Sequence, residues 1–199
     1  MVYKLKQLSK EELNKIKQII GEAFISNELF HNWGSEDERK EDVMKYMSIF
    51  VDYAYKTGNL YSTSDMTGFI GLEDTKHLFI FARIKMILKM LTRIKKSRVK
   101  LLLEYIKQIN KSNEIYKNTR HLDTLMVCVK KEEQGKGIAK ELIDFAKEKA
   151  NNLEIPLLFD TDMEGYSSMY QHLGCKLYNS ITADNGVTRY SLCYEPDEK

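Results

Sequence analysis

The spacing of apolar and polar residues divides the first part of the chain into short strands and amphipathic helices. The opening "VYKLKQL" alternates apolar and polar positions, which predicts a first strand. Two S-x-x-E capping boxes, Ser9 with Glu12 and Ser35 with Glu38, predict the starts of two helices. Gly58 ends the second of these helices. The following "NLYSTS" and "TGFIGLE" predict a pair of strands.

The last part of the chain alternates strands with helices. Residues 122–129, "LDTLMVCV", are mostly apolar and predict a strand that leads through a glycine-containing loop into an amphipathic helix. "IPLLFDTD" predicts a buried strand, and "GYSSMYQHLG" predicts a short helix with a glycine C-cap. Two closing strands flank Asp184-Asn185-Gly186, a strong hairpin signal. This order favours an α/β or α+β domain with a mixed sheet.

The middle segment, residues 83–120, is helical by period and strongly basic. It contains 12 Lys and Arg residues and two acidic ones, a net charge of +10 against −8 for the rest of the chain. Two apolar stripes predict two helices with a break at Ser97. The favoured interpretation packs both stripes on the domain and leaves the cations solvated. In the alternative interpretation, the two helices cover the acceptor site, and their positive field attracts the phosphates of coenzyme A or an acidic acceptor. Contact with a membrane surface or with nucleic acid is the least favoured interpretation.

Composition narrows the class of protein. The 199 residues predict one domain, 1–199. No apolar run reaches the roughly 20 residues that span a membrane, and the N-terminus has no signal-peptide pattern, so we expect a cytoplasmic protein without a membrane span. The three cysteines form no C-x-x-C pair, and we expect neither a disulfide framework nor a metal site.

The loop "KEEQGKGIAKEL", residues 131–142, is the clearest candidate for ligand chemistry. A glycine turn between a strand and a helix presents free backbone N–H groups to an anion. The P-loop pattern fails because Gly137 stands where Ser or Thr is required, and the dinucleotide pattern is weak because Lys140 replaces the third small residue. A third pattern, Q/R-x-x-G-x-G/A, is matched by Gln134, Gly137 and Ala139.

This third pattern resembles the acetyl-coenzyme A loop of the GNAT family of N-acetyltransferases. "VCVKKEEQGKGIAKELIDFAKEKA" is similar to the family's central strand, loop and helix, and Tyr170 with Gly174 matches its Y-x-x-x-G-F motif, with Cys175 in place of the aromatic. The resemblance covers most of the chain apart from the basic segment. It implies a GNAT-like α/β fold, with a central mixed, mostly antiparallel sheet, flanking helices and 83–120 as a basic two-helix insert.

The resemblance also implies a cosubstrate, acetyl-CoA, and the residues that contact it. The central strand would splay from its neighbour and bind the pantetheine arm, and the loop amides would hold the pyrophosphate. Tyr166 occupies a position where the family often has a cofactor-contacting Asn. The expected cofactor-binding residues are Val127, Cys128, Val129, Gln134, Gly135, Lys136, Gly137, Ile138, Ala139, Lys140 and Tyr166.

Catalysis by the family implies a proton donor for the leaving thiol and an acceptor for the amine proton. Tyr170 is the expected proton donor, because the pKa of a phenol lies near that of the thiol or a little above it. In the alternative interpretation, Tyr170 only packs on the sheet. Asp123 is the expected base because it shares strand parity with Val127 and Val129. Weaker candidates are Glu73, the pair Asp160 and Asp162 (which are also suited to capping a helix), His121 and His172. Cys128 is interpreted as a core residue.

We therefore expect transfer of an acetyl group from acetyl-CoA to a primary amine by direct attack in a ternary complex. The alternative is a non-catalytic acyl-CoA sensor, or a module that binds a partner through the basic helices. The acceptor is a small molecule or a peptide, and no nucleic acid partner is expected. Use of longer acyl chains and a homodimer through the terminal strands are left open.

Overall fold

The computed structural model describes residues 1–196. Its strands are β1 (Val2–Lys4), β2 (Leu60–Thr63), β3 (Gly68–Asp74), β4 (Leu122–Val129), β5 (Leu157–Thr161), β6 (Lys176–Thr182) and β7 (Thr188–Tyr194). Its α-helices are α1 (Lys10–Ala23), α2 (Glu36–Lys56), α3 (Ile80–Arg93), α4 (Lys96–Ile109), α5 (Ile138–Leu153) and α6 (Glu164–His172). In this range no helix combines the length and the apolar character needed to cross a membrane.

The strands form one mixed sheet in the order β1-β2-β3-β4-β5-β7-β6. Every neighbouring pair is antiparallel except β4 and β5, which run parallel. The prediction of a mixed, mostly antiparallel sheet is confirmed. The hairpin predicted at Asp184-Asn185-Gly186 joins β6 to β7.

Helices cover both faces of the sheet and create two apolar cores. Helices α1 and α2 pack on one face, where Ile20, Val43 and Phe69 are fully buried. Helix α5 packs on the opposite face, where Leu142 and Leu157 are fully buried. Since a sheet buried on both faces needs apolar residues on both, the near-continuous apolar runs of β3 and β5 follow from this three-layer arrangement.

Both predicted capping boxes are present at the starts of α1 and α2. The Ser9 hydroxyl accepts a hydrogen bond from the Glu12 amide, and the Glu12 carboxylate accepts one from the Ser9 amide. Ser35 and Glu38 repeat this arrangement. These side chains satisfy backbone donors that a helix N-terminus would otherwise leave without partners.

A β-bulge at Leu125 bends the central strand β4. Gly71 pairs with Met126 but Leu72 pairs with Thr124, so Leu125 has no partner on β3. A Cβ atom at position 71 would lie 3.0 Å from the Leu125 Cβ, which explains why a glycine stands opposite the bulge. Such bulges re-aim the strand and are common next to active sites.

The basic segment differs from its predicted arrangement in two respects. The break between its helices lies at Ile94 and Lys95, not at Ser97, which belongs to α4. Helix α4 buries only part of its predicted stripe, since Leu102 and Ile109 are buried but Leu103 and Ile106 are exposed, and none of the residues of α3 is buried. The expectation that both stripes pack on the domain is therefore wrong for α3, because ion pairs orient this helix, as described below.

Candidate active site

A cleft opens where β4 separates from β5. The two strands pair only at Leu122 with Leu157 and at Asp123 with Leu158, although both strands continue beyond these residues. The cleft consists of two adjoining cavities of about 350 and 420 Å³. Val127, Tyr166 and Tyr170 line both cavities, so these residues mark the junction. We call the two spaces the strand-end cavity and the loop cavity.

The loop cavity, of about 420 Å³, is built around the N-terminus of α5. Gly135 and Gly137 adopt φ angles of +80° and +83°, and a Cβ atom at either position would meet nothing within 4 Å. Gly137 is the N-cap of α5, and no side chain caps this end. The first N–H groups of the helix therefore have no intrahelical acceptor and face an open space. These features fit the pyrophosphate of a coenzyme A molecule.

The structure brings most of the predicted cofactor residues to this cavity. Residues that line it are Val127, Val129, Gln134, Gly135, Gly137, Ile138, Ala139, Lys140, Tyr166 and also His172. Two predicted residues do not line it. Lys136 forms an ion pair with Glu133 at 2.8 Å, and the Cys128 side chain is buried in the core on the α1 and α2 side.

Cys128 is chemically inert in this position. Its side chain is only 3% exposed, and burial raises the pKa of its thiol to about 12. A thiol with this pKa holds its proton near neutral pH and is no nucleophile. Its neighbours on β4, Val127 and Val129, are the residues of this strand end that line the loop cavity.

Tyr170 lies at the junction of the two cavities. Its ring stacks on Phe159, with centroids 4.6 Å apart, and its hydroxyl forms no hydrogen bond within residues 1–196. Burial raises the pKa of Tyr170 well above its ordinary value, and the nearby Cys175 and Tyr166 add to this effect. The hydroxyl therefore stays protonated over the whole physiological range.

Asp123 lines the strand-end cavity and is paired with His121. The His121 Nε2 lies 3.1 Å from the Asp123 Oδ1, and its Nδ1 lies 2.6 Å from the Thr119 carbonyl oxygen. Burial alone lowers the pKa of His121, but the hydrogen bond and charge of Asp123 and the Thr119 carbonyl outweigh it and raise this pKa. Both ring nitrogens face acceptors, an arrangement that suits the doubly protonated imidazolium.

The strand parity predicted for Asp123 is wrong because of the bulge. Asp123 pairs with Glu73, whose side chain reaches Tyr53 of α2, whereas Val127 pairs with Ile70 in the core beneath α5. Asp123 and Val127 thus belong to opposite faces of the sheet. Asp123 still reaches the cleft, because the separation of β4 from β5 opens the sheet at that point.

The end of β5 contributes a bonded cluster of carboxylates to the strand-end cavity. Asp162 accepts hydrogen bonds from the Arg189 Nε at 2.7 Å and Nη2 at 3.0 Å, and another from the Tyr105 hydroxyl. Asp160 accepts hydrogen bonds from Ser191 at 2.6 Å and Asn113 at 2.8 Å. The capping role considered for these acids is wrong, since α6 has no side-chain cap.

Glu73 lies outside the cleft. Its side chain is fully buried and accepts hydrogen bonds from Tyr53 and Arg83, and its Oε1 lies 3.3 Å from the Asn59 Nδ2. A carboxylate held by three donors away from both cavities cannot reach an acceptor there. Glu73 is therefore a structural residue rather than a base.

The opposite wall of the strand-end cavity was not predicted from the sequence. It consists of residues from the segment between α1 and α2 and from α2 itself: Phe24, Asn27, Leu29, Tyr46, Met47 and Phe50. Tyr46, Met47 and Phe50 belong to the apolar stripe of α2, so periodicity indicates only that they pack inside the protein.

Comparisons with known proteins agree with this geometry. The acetyltransferase (GNAT) domain model matches residues 84–191, more than half of the chain. The matched residues include β4, the glycine loop and α5, which contribute residues to the loop cavity. The chain belongs to the GNAT acetyltransferase family. No curated protein matches it.

Several solved structures share the fold over nearly the whole chain at low sequence identity. "Histone acetyltransferase HPA2 and related acetyltransferase" from Corynebacterium glutamicum has 12% identity and a TM-score of 0.66, covering 100% of this chain and 97% of that one. An agmatine N-acetyltransferase has 11% identity and a TM-score of 0.63, covering 98% of each chain. A chain of the NatC complex bound to Gag peptide and CoA has 14% identity and a TM-score of 0.53, covering 99% of this chain and 98% of that one.

Proposed function

We propose that the protein transfers an acetyl group from acetyl-CoA to a primary amine by direct attack, and that residues 1–199 act as one catalytic unit. The observation that carries this proposal is the continuity of the cleft. An uncapped helix N-terminus suited to a phosphate lies at one end, a protonated tyrosine hydroxyl without a hydrogen bond lies at the junction, and a group of carboxylates lies at the other end. A non-catalytic acyl-CoA sensor needs the first of these features but not the other two.

The residues of the cleft have separate roles in binding the cosubstrate and in stabilising the leaving group. When bound, acetyl-CoA supplies the acetyl thioester. Gln134, whose Nε2 lies 3.2 Å from the Val129 carbonyl oxygen, holds the loop against the end of β4. The Tyr170 hydroxyl, kept protonated by burial, donates a hydrogen bond to the sulfur as negative charge develops there. We assign Tyr170 this electrostatic role because its raised pKa opposes complete proton transfer before the C–S bond breaks.

On the acceptor side, the pair of Asp123 and His121 receives the proton that the amine loses as the C–N bond forms. Asp123 lines the cavity and accepts a hydrogen bond from the neutral amine that attacks the thioester, and His121 behind it, once its own ring is neutral, takes through Asp123 the one proton that the amine loses. The cavity also presents Asp160, while the Arg189 charge is largely neutralised by Asp162. The excess of carboxylates over cations in this cavity favours acceptors that carry positive charge.

A substitution in the loop tests the cofactor assignment. Gly137→Val forces a β-branched residue into a left-handed conformation, which costs roughly 1–2 kcal/mol, and directs a side chain into the loop cavity. We expect the wild type to show a rise in Tm with acetyl-CoA, by mass action, and this rise to be lost in Gly137→Val. Differential scanning fluorimetry with and without acetyl-CoA measures both.

The matched control is Gly186→Val in the β6–β7 turn. Gly186 has a φ of +82° and equally open space around its Cβ position, so it imposes the same backbone strain far from the loop. We expect Gly186→Val to lower the Tm by a similar amount but to keep the acetyl-CoA shift. Absence of any shift in the wild type would reject the cofactor assignment.

The pH dependence of the reaction tests the role of His121. The contact with Asp123 raises the pKa of His121, so the imidazolium persists above the ordinary value of about 6.5. As the pH rises through this raised pKa, His121 becomes neutral and able to accept a proton. We expect kcat/KM for the amine to increase through that inflection. In His121→Asn the inflection should disappear, and an unchanged profile would remove His121 from the proton path.

A further inference from the structure

Helix α3 is attached to the protein by its polar side. Lys89 forms an ion pair with Asp52 of α2, with a distance of 3.1 Å between Nζ and Oδ2, and the Arg83 Nε lies 3.1 Å from the Tyr53 hydroxyl oxygen. Arg83 also forms an ion pair with the buried Glu73. These contacts to α2 and β3 turn the charged side of α3 toward the protein.

The apolar side of α3 consequently faces solvent. Ile80, Ile84, Ile87 and Leu91 follow one row along the helix, and their exposed fractions range from 45% to 63%. In the neighbouring row, Phe81 and Leu88 are 89% and 56% exposed, and Leu78 and Phe79 extend the surface before the helix begins. We call these eight residues, together, the α3 apolar face. Monomeric soluble proteins rarely expose so many large apolar side chains in one contiguous patch, which indicates a binding surface.

Positive charge predominates in the segment that carries this face. No Asp or Glu occurs between Thr75 and Leu103. Lys85 lies in the same helical row as Phe81 and Leu88 and is exposed, as are Lys95 and Lys96 just beyond the end of α3. Lys100, further along α4, is paired with Glu104 at 3.7 Å. An exposed apolar face bordered by lysines is the composition of helices that lie in the interface of a lipid bilayer.

We propose that the α3 apolar face is a peripheral docking surface for an anionic lipid bilayer. The apolar residues would enter the boundary between headgroups and acyl chains, and the lysines would contact the anionic headgroups. Charge complementarity favours this partner over a second copy of the chain. A two-fold dimer brings the same patch of both copies together, so lysines would face lysines with no acidic side chain in the segment to separate them.

Flotation of the full-length protein with lipid vesicles tests this proposal. We expect binding to vesicles of phosphatidylcholine mixed with phosphatidylglycerol, little binding to phosphatidylcholine alone, and weaker binding as salt increases. Phe81→Ser combined with Leu88→Ser should abolish binding, and Lys85→Glu combined with Lys96→Glu should reduce it at least tenfold. Leu153→Ser removes a leucine of α5 that is 38% exposed and should bind as the wild type does.

Two results would overturn the proposal. One is a vesicle experiment without the expected selectivity: the wild type either fails to bind the mixed vesicles or binds both kinds of vesicle equally. The other is a dimer, measured by light scattering after gel filtration, that the Phe81→Ser and Leu88→Ser variant converts to a monomer, since this result assigns the face to a second copy. Circular dichroism of each variant establishes that lost binding does not reflect lost folding.

Discussion

Replacing Tyr170 with phenylalanine is expected to lower kcat by roughly 100- to 1,000-fold, the effect of removing one preorganised hydrogen-bond donor from an active site. The hydroxyl lies at the junction of the two cavities, where charge develops on the leaving sulfur in the proposed reaction. Burial raises its pKa, so the loss should be equally large at every pH at which the enzyme is folded. Initial rates with a thiol-detecting reagent measure it.

The structure indicates that this substitution leaves folding and cofactor binding in place. The Tyr170 ring stacks on Phe159, and phenylalanine keeps that contact. The hydroxyl has no hydrogen bond within the described residues, so its removal leaves no buried partner unsatisfied. The rise in Tm with acetyl-CoA should therefore persist. A protein that binds acetyl-CoA and transfers nothing in either form would instead be the sensor that sequence alone leaves open.

Tyr194→Phe is the matched control for Tyr170→Phe. Its hydroxyl donates a hydrogen bond to Asn151 of α5 at 3.0 Å and lines neither cavity of the cleft. We expect a modest loss of stability and an unchanged kcat. If Tyr170→Phe also leaves kcat unchanged, the hydroxyl has no part in catalysis and Tyr170 serves only to pack against the sheet.

The loop and the order of strands and helices along the chain could be predicted because their signals are local. Gln134, Gly137 and Ala139 lie within six residues, and the conformation that makes them useful, a left-handed glycine before a helix, is a property of those residues alone. The capping boxes have the same local character. The structure brings these predicted elements together at the end of β4, where the residues form the loop cavity.

Features that depend on contacts distant in sequence could not be predicted in this way. A single inserted residue, Leu125, reverses the alternation of β4 and separates Asp123 from the face of Val127. Nothing in the composition of the strand marks that insertion. Likewise, Asp162 binds Arg189, 27 residues further along the chain, and this partner rather than the adjacent helix determines its role.

The orientation of α3 illustrates the same limit. Its periodicity correctly indicates an apolar stripe, but a stripe alone does not say which side of the helix is covered. Two ion pairs, Lys89 with Asp52 and Arg83 with Glu73, decide the question in favour of the polar side. Charge counted over the segment therefore overstates the solvated cations, because some of them are structural contacts.

Arg98 is the cation of this segment whose removal should affect stability most. Its Nη1 lies 2.6 Å from the Asp42 Oδ2, and its Nη2 donates hydrogen bonds to the carbonyl oxygens of Trp33 at 2.9 Å and Glu38 at 2.6 Å. The Asp42 side chain is 1% exposed. Arg98→Met should lower the free energy of unfolding by about 3–5 kcal/mol, because it leaves two carbonyls without their donor and a buried carboxylate with only the more distant Lys45, whose Nζ lies 3.7 Å from the Asp42 Oδ1. For a chain of this length, the fall in Tm is roughly 10 °C.

The double variant Asp42→Asn and Arg98→Met separates the ion pair from the packing of α4. If the uncompensated charge causes the loss, the double variant should be more stable than the sum of the two single losses predicts, with a coupling of roughly 1–3 kcal/mol. Lys100→Met, an exposed lysine two residues further along α4, should change the free energy of unfolding by less than about 0.5 kcal/mol. Strictly additive losses would instead assign the role of Arg98 to its two carbonyl contacts, which tie α4 to the region before and at the start of α2 independently of Asp42.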